Sequence, residues 1–196
     1  MGPGSKAQVH DVGSGEIEVH HAIAREVRPA FRAIFEEHFD YVWNTLKHLG
    51  VRDADLEDLA HEVFLRVHER IEDYDESRPI KPWLFAFAFR VASGHRRLAR
   101  HRLEVLGIAV DPHDPSLPAD EVLASRRDGE LAAAALDSVE IDRRAVFMLH
   151  DLDEVPIPQV AAALGIPLGT AYSRLRLARE EFQKSAQRLR LTRGAR

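Results

Sequence analysis

Apolar residues at Phe31, Ile34, Phe35, Phe39, Val42, Trp43, Leu46 and Leu49 recur in steps of three and four, the spacing of one face of an amphipathic helix. Gly50 follows as a stop signal. A second stripe, Leu56, Leu59, Ala60, Val63, Phe64, Val67 and Ile71, predicts another helix whose opposite face carries Asp58, Glu62, Arg66 and Glu69. Residues 72–82 (EDYDESRPIKP) break the period with two prolines and small polar residues, which predicts a loop. The third helix, from Trp83, is apolar nearly all round to Ala92 and then turns basic, the pattern of a mostly buried helix with a cationic end at the surface. Periodicity lapses over residues 104–128, where Pro112, Pro115 and Pro118 sit among acids, and a linker is expected. Helical spacing resumes over 130–136, 143–152, 158–164 and 170–189. No strand-like alternation of useful length occurs. The expected fold is all-α: two small helical domains, 28–103 and 130–191, joined by an acidic linker at 104–129 and flanked by an extension (1–27), either flexible or a short leading helix, and a tail (192–196).

Composition narrows the chemistry. With 196 residues and 45% hydrophobic positions the chain can bury a core. It has no cysteine, which removes disulfides, thiol catalysis and thiolate zinc sites, and fits a cytoplasmic setting. No apolar run reaches the roughly 18 residues that would cross a membrane, so no membrane partner is expected. The opening Met1-Gly2-Pro3-Gly4-Ser5 reads as a cloning remnant.

A net charge of −5 conceals an alternating arrangement. Residues 51–76 hold ten acids against three bases, and residues 89–103 hold five arginines and no acid. Residues 104–130 hold seven acids against two arginines, and residues 170–190 six bases against two acids. Blocks of this size point to separate surfaces for separate partners, the two basic ones suited to phosphate.

The sharpest local motif is residues 158–179 (PQVAAALGIPLGTAYSRLRLAR). Pro158 suits a first helical turn, with Val160, Ala161 and Leu164 facing inward. Gly165 supplies a left-handed stop, Ile166 fills the corner, Pro167 blocks continuation, and Thr170 is expected to cap the next helix. Ala171, Leu175, Ala178 and Phe182 form that helix's buried stripe. Thr170, Ser173, Arg174 and Leu177 share another face, flanked by Arg176 and Arg179. Short residues followed by arginines suit a major-groove reader, because they let the backbone approach and arginine can bond guanine bidentately.

The chain resembles bacterial RNA polymerase sigma factors of the extracytoplasmic-function group of the sigma-70 family, the minimal kind with regions 2 and 4 alone. The resemblance covers residues 28–190 and is carried by residues 58–68 (DLAHEVFLRVH), 82–90 (PWLFAFAFR) and 165–175 (GIPLGTAYSRL) in order. It implies three surfaces. Asp58, His61, Glu62, Leu65 and Arg66 would dock on the core polymerase. Asp73, Tyr74, Ser77, Lys81, Arg90, Arg96, Arg97 and Arg100 would engage the −10 element, melted and held as a single strand. Thr170, Ser173, Arg174, Arg176, Leu177 and Arg179 would read the −35 element in duplex form. It also implies an anti-sigma partner, soluble or membrane-bound, and neither cofactor nor metal. The chain departs from the family pattern in Arg90 for Asn, Gly94 for Asp, His61 for Gln, Glu140 for the Pro that opens region 4, and Gln159 for Glu.

Three other readings compete. An enzyme would have to use the eleven histidines, but even His61 and His68, on one helical face, come with no ligand triplet, phosphate loop or nucleophile motif. A sigma-mimicking adaptor that sequesters an anti-sigma factor needs no intact basic reading helix. A dimeric helix-turn-helix repressor would bind a palindrome without polymerase. Phe85 and Phe89 are expected in the core, with base stacking the alternative for Phe89.

Overall fold

The computed structural model describes residues 14–105 and 124–194, with side chains over 31–102 and 131–192. Every regular element among them is helical: α1 (Ser14–His48), α2 (Asp53–Glu69), a 3-10 turn (Ile71–Asp73), α3 (Ile80–Val105), α4 (Ala124–Asp137), α5 (Ile141–Phe147), a π turn (Met148–Leu152), α6 (Ile157–Leu164) and α7 (Leu168–Gly194).

Several boundaries differ from the sequence expectation. Residues 14–27, expected as a flexible extension or a short leading helix, are helical and continuous with α1. Within the expected loop at 72–82, a 3-10 turn covers part of the start and α3 begins at Ile80, so Pro82 occupies the first turn, where its missing N–H costs nothing. Helix α3 runs on to Val105 and α4 begins at Ala124, leaving only 106–123 of the expected linker outside the described residues. Residues 1–13, with the expected cloning remnant, and 195–196 also lie outside them.

The chain divides into two compact units, Met1–His38 and Phe39–Arg196. In the first, Phe31 and Phe35 lie one helical turn apart with ring centroids at 6.3 Å, and Arg32 pairs with Glu36 at 2.7 Å.

In the second unit, α1 ends where the pattern predicts. Gly50 adopts φ +85°, a left-handed conformation natural to glycine, and its N–H bonds the carbonyl of Lys47 at 2.9 Å. Val42, Leu46 and Leu49 of α1 are buried, as are Leu56, Val63 and Val67 of α2 and Leu84, Phe85, Ala88 and Ala92 of α3, and α2 packs on α3. Burial of each larger aliphatic side chain contributes about 1.5–3 kcal/mol, which makes this stripe the main stabiliser of the N-terminal group of helices. Phe39 stacks on Phe64, with centroids 6.0 Å apart. Phe85 is fully buried as expected, while Phe89 is half-buried.

The C-terminal group packs α4, α5 and α6 on α7, and α6 also packs on α3. Leu136, Val139, Val146, Leu149, Val160, Ala171, Leu175 and Ala178 form its core. Glu140 caps α5 through its carboxylate, which accepts the N–H of Asp142 at 3.0 Å, so the acid does by hydrogen bonding what a proline at a helix start does by fixing φ.

Arg144, 2% exposed, ties the two groups together. Its Nε and Nη2 bond the carbonyl of Val139 at 3.1 and 2.9 Å, and Nη2 also bonds the Asp137 carbonyl. Its Nη1 bonds Asp137 Oδ1 at 3.1 Å and the carbonyl of His48, at the end of α1, at 3.0 Å. Burial pushes this guanidinium down to about 10, with Asp137 opposing the shift, so it stays charged at neutral pH.

Candidate nucleic-acid interface

Helix α6, the Gly165 turn and the start of α7 form a helix-turn-helix. Gly165 has φ +67°, and the N–H groups of Gly165 and Ile166 bond the carbonyls of Ala162 and Ala161 at 3.2 and 3.0 Å, closing α6. Helix α7 starts at Leu168, two residues earlier than expected. Thr170 is therefore inside the first turn rather than capping it: its carbonyl accepts the Ser173 hydroxyl at 3.0 Å, and Pro167 supplies the first carbonyl of the helix, to Ala171 N–H at 3.1 Å.

The buried face of α7 is Ala171, Leu175 and Ala178, continued by Phe182, whose ring lies 5.1 Å from Phe147. Tyr172, Ser173 and Arg176 are the exposed positions opposite. Thr170, Arg174 and Leu177 are half-buried at its edge, and Arg179 is exposed. Tyr172, 55% exposed, was missed in the sequence because aromatic residues usually enter cores; its place next to Ser173 was the available signal.

Arg174, Arg176 and Arg179 are all paired. Arg174 Nη2 bonds Asp142 Oδ2 at 2.5 Å. Arg179 grips Asp151 with two bonds, Nε to Oδ2 at 2.8 Å and Nη2 to Oδ1 at 2.5 Å, which raises its already high pKa. Arg176 pairs with Glu180 at 2.6 Å on its own helix.

The second candidate surface runs from the turn before α3 onto the basic stretch of that helix, which begins at Arg90. Tyr74, Trp83 and Phe87 form a chain of aromatic contacts, with centroids 5.0 and 4.9 Å apart, and Arg90 lies 5.9 Å over Phe87. Tyr74 OH donates to the carbonyl of Arg78 at 2.6 Å. Asp75 Oδ1 accepts both the N–H (3.0 Å) and the hydroxyl (2.6 Å) of Ser77, which holds its carboxyl below the usual range. Asp73 pairs with Arg70 at 2.7 Å, and Lys81 sits 5.4 Å over the Tyr41 ring. The turn is thus ordered by its own side chains. Arg90, Arg97 and Arg100 are exposed. Arg96 differs: it is half-buried, and desolvation with Arg100 pushes its guanidinium down while Glu140 and Asp137 oppose the shift. Trp83 and Phe87 were read in the sequence only as buried apolar positions.

On α2, Asp58, His61, Leu65 and Arg66 are exposed and Glu62 half-buried, with Arg66 bonded to Glu62 at 2.5 Å. Leu65 is 65% exposed, an apolar residue left in water on a rigid helix. Among the described residues there is no group of side chains that could hold a metal ion, and no helix is long and apolar enough to cross a membrane.

Residues 34–102 match the Sigma-70 region 2 family and residues 130–182 the Sigma-70, region 4 family. The ECF RNA polymerase sigma factor SigL of Mycobacterium tuberculosis is 31% identical over 163 residues, which cover 83% of this chain and 92% of that one. The chain belongs to the ECF sigma factors of the sigma-70 family. SigE of Mycolicibacterium smegmatis, named likewise, is 28% identical over 158 residues, 79% of this sigma factor and 61% of that one. Two solved structures share the fold. CnrH in complex with the cytosolic domain of CnrY has a TM-score of 0.54 at 20% identity, over 80% of this chain and 87% of that one. RpoE from Bartonella quintana, in complex with the anti-sigma factor NepR, has a TM-score of 0.63 at 19% identity, over 81% and 97%. The region 2 match takes in α1 from Ile34, α2, and α3 as far as Arg102, and the region 4 match takes in α4 from Glu130 through α7 as far as Phe182.

Proposed function

We propose that this sigma factor directs core RNA polymerase to its promoters, with α7 reading the −35 element and the start of α3 engaging the −10 element. The observation that carries the reading is the helix-turn-helix, with Tyr172, Ser173, Arg174, Arg176 and Arg179 on or beside its outer face. An exposed polar and basic helix of this kind suits the major groove. The chain Tyr74–Trp83–Phe87, edged by Arg90, offers π-faces and cations to unstacked bases and their phosphates. Asp73, Ser77, Lys81, Arg97 and Arg100 complete that surface, and the half-buried Arg96 contributes field more than contact. Asp58, His61, Glu62, Leu65 and Arg66 on α2 form the surface for the polymerase. The polymerase performs the phosphoryl transfer, and this chain supplies address and strand opening, not catalysis. An anti-sigma factor is the expected regulator, by analogy with the complexes of RpoE and CnrH.

Run-off transcription with bacterial core polymerase on a promoter-fragment library tests this. Specific transcripts that require the protein are the expected result. Polymerase-free binding to palindromic DNA without transcripts would overturn it in favour of a repressor, and tight binding to an anti-sigma factor without transcripts in favour of a mimic.

A further inference from the structure

The three arginines near the start of α7 are held in two different ways. Arg176 is paired with Glu180 one turn along, and both are exposed; such a pair is weak and easily exchanged for a phosphate. Arg174 and Arg179 are instead bonded to acids 32 and 28 residues away in sequence, on separate elements. Asp142 sits in the first turn of α5 with its own N–H fixed by the Glu140 carboxylate. Asp151 lies in the π turn and is only 21% exposed. Both anchors therefore belong to the packed scaffold of region 4 and not to the helix they steady.

A carboxylate beside a DNA-facing helix lowers its attraction for phosphate. Two of them, each bonded to an arginine of that helix, lower general affinity while fixing how those arginines point. Asp151 occupies Nε and one hydrogen of Nη2 on Arg179, which leaves Nη1 and the second hydrogen of Nη2 as a free fork. That fork matches the O6 and N7 acceptors of guanine. Asp142 occupies one donor of Arg174 and leaves the rest. An arginine fixed before binding loses less side-chain freedom on meeting its base, and its planar fork makes the orientation decisive.

We infer that Asp142 and Asp151 are positioning residues for promoter selectivity: they orient the guanidinium groups of Arg174 and Arg179 for guanine in the −35 element, at the expense of general affinity for DNA. This rests on the reading of α7 as the −35 reader.

The test uses the full chain assembled with core polymerase on a promoter chosen by run-off transcription, with every single-base variant of its −35 element as competitor. Asp151→Asn and Asp142→Asn are each expected to lower discrimination roughly tenfold at one guanine-containing base pair and to leave other positions unchanged. Asp151→Asn should add nothing in an Arg179→Ala background, as two members of one unit behave. Arg179→Lys keeps the charge and leaves Asp151 in place, so it needs no new fold, and it should lose the same base pair. A uniform gain in binding across all variants would overturn the inference, since the acids would then only restrain affinity. So would an unchanged profile, or a uniform loss that follows a fall in melting temperature. If Arg174→Ala and Arg179→Ala lower selectivity while the Asp→Asn variants do not, positioning alone fails. If the arginine variants also leave selectivity unchanged, the −35 reading of these arginines fails with it.

Discussion

The hydroxyl of Tyr41 on α1 donates a 2.6 Å hydrogen bond to Oδ2 of Asp153, 112 residues further along the chain. Region 2 is thereby bonded to the segment that leads into the helix-turn-helix of region 4. Tyr41→Phe removes the donor and leaves a half-buried carboxylate without it, and is expected to cost about 1–2 kcal/mol, read from urea unfolding of the full chain. Asp153→Asn, which keeps an acceptor oxygen but removes the charge, should cost less.

The same pair sets a pH dependence. Burial first, and then the Asp153 carboxylate, push the Tyr41 phenol above its ordinary value. A group whose folded pKa is raised contributes stability that is complete below its unfolded pKa, here about 10, and is lost as the pH climbs through the folded value. Melting temperature should therefore hold between pH 7 and 9 in respect of this group and fall above about pH 10, with a shallower fall in Tyr41→Phe. Equal slopes for the two proteins would exclude Tyr41 as the source.

Arg144→Ala removes the cation that satisfies the carbonyls of His48, Asp137 and Val139 and the Asp137 carboxylate. Breaking a buried pair leaves its partner uncompensated, and a loss of about 3–5 kcal/mol is expected. Calorimetry on the full chain measures it. Arg144→Lys should recover only part of the loss, because one ammonium cannot span the acceptors that Nε, Nη1 and Nη2 reach around the edge of the guanidinium plane.

Two glycines should respond with opposite signs. Gly165, at φ +67°, has open space where a Cβ would stand, so Gly165→Ala loses stability through backbone strain alone, by about 1–2 kcal/mol. Gly94 lies within α3, with nothing within 4 Å of an added Cβ. Gly94→Ala is expected to gain about 0.5–1 kcal/mol. Chemical denaturation of the two variants side by side checks both signs.

Leu65 supplies the clearest test of the α2 surface. Leu65→Ala changes nothing buried within the chain, so its melting temperature should be unaltered. Affinity for core polymerase should fall roughly tenfold if the side chain is fully covered in the complex. Fluorescence anisotropy of the labelled chain titrated with core polymerase measures this. Unchanged affinity would place the docking surface elsewhere.

The amphipathic stripes of α1 and α2, the stop at Gly50, the left-handed Gly165 and the buried face Ala171–Leu175–Ala178 were all legible in the sequence, because each rests on spacing or on backbone sterics within one or two turns. The resemblance to sigma factors was legible for the same reason: its motifs are contiguous runs. Boundaries were less so. Helix α7 begins at Leu168 because the Pro167 carbonyl accepts the N–H of Ala171, and α3 can begin at Ile80 because Pro82 then falls in a first turn, where its missing N–H costs nothing. Tertiary structure alone decided that Arg174 meets Asp142, that Arg179 meets Asp151, that Arg144 reaches the end of α1 and that Tyr41 finds Asp153. Periodicity reports which face of a helix is apolar, but a polar side chain's partner depends on how helices cross. These partners lie 28 to 112 residues apart, where no local spacing rule reaches.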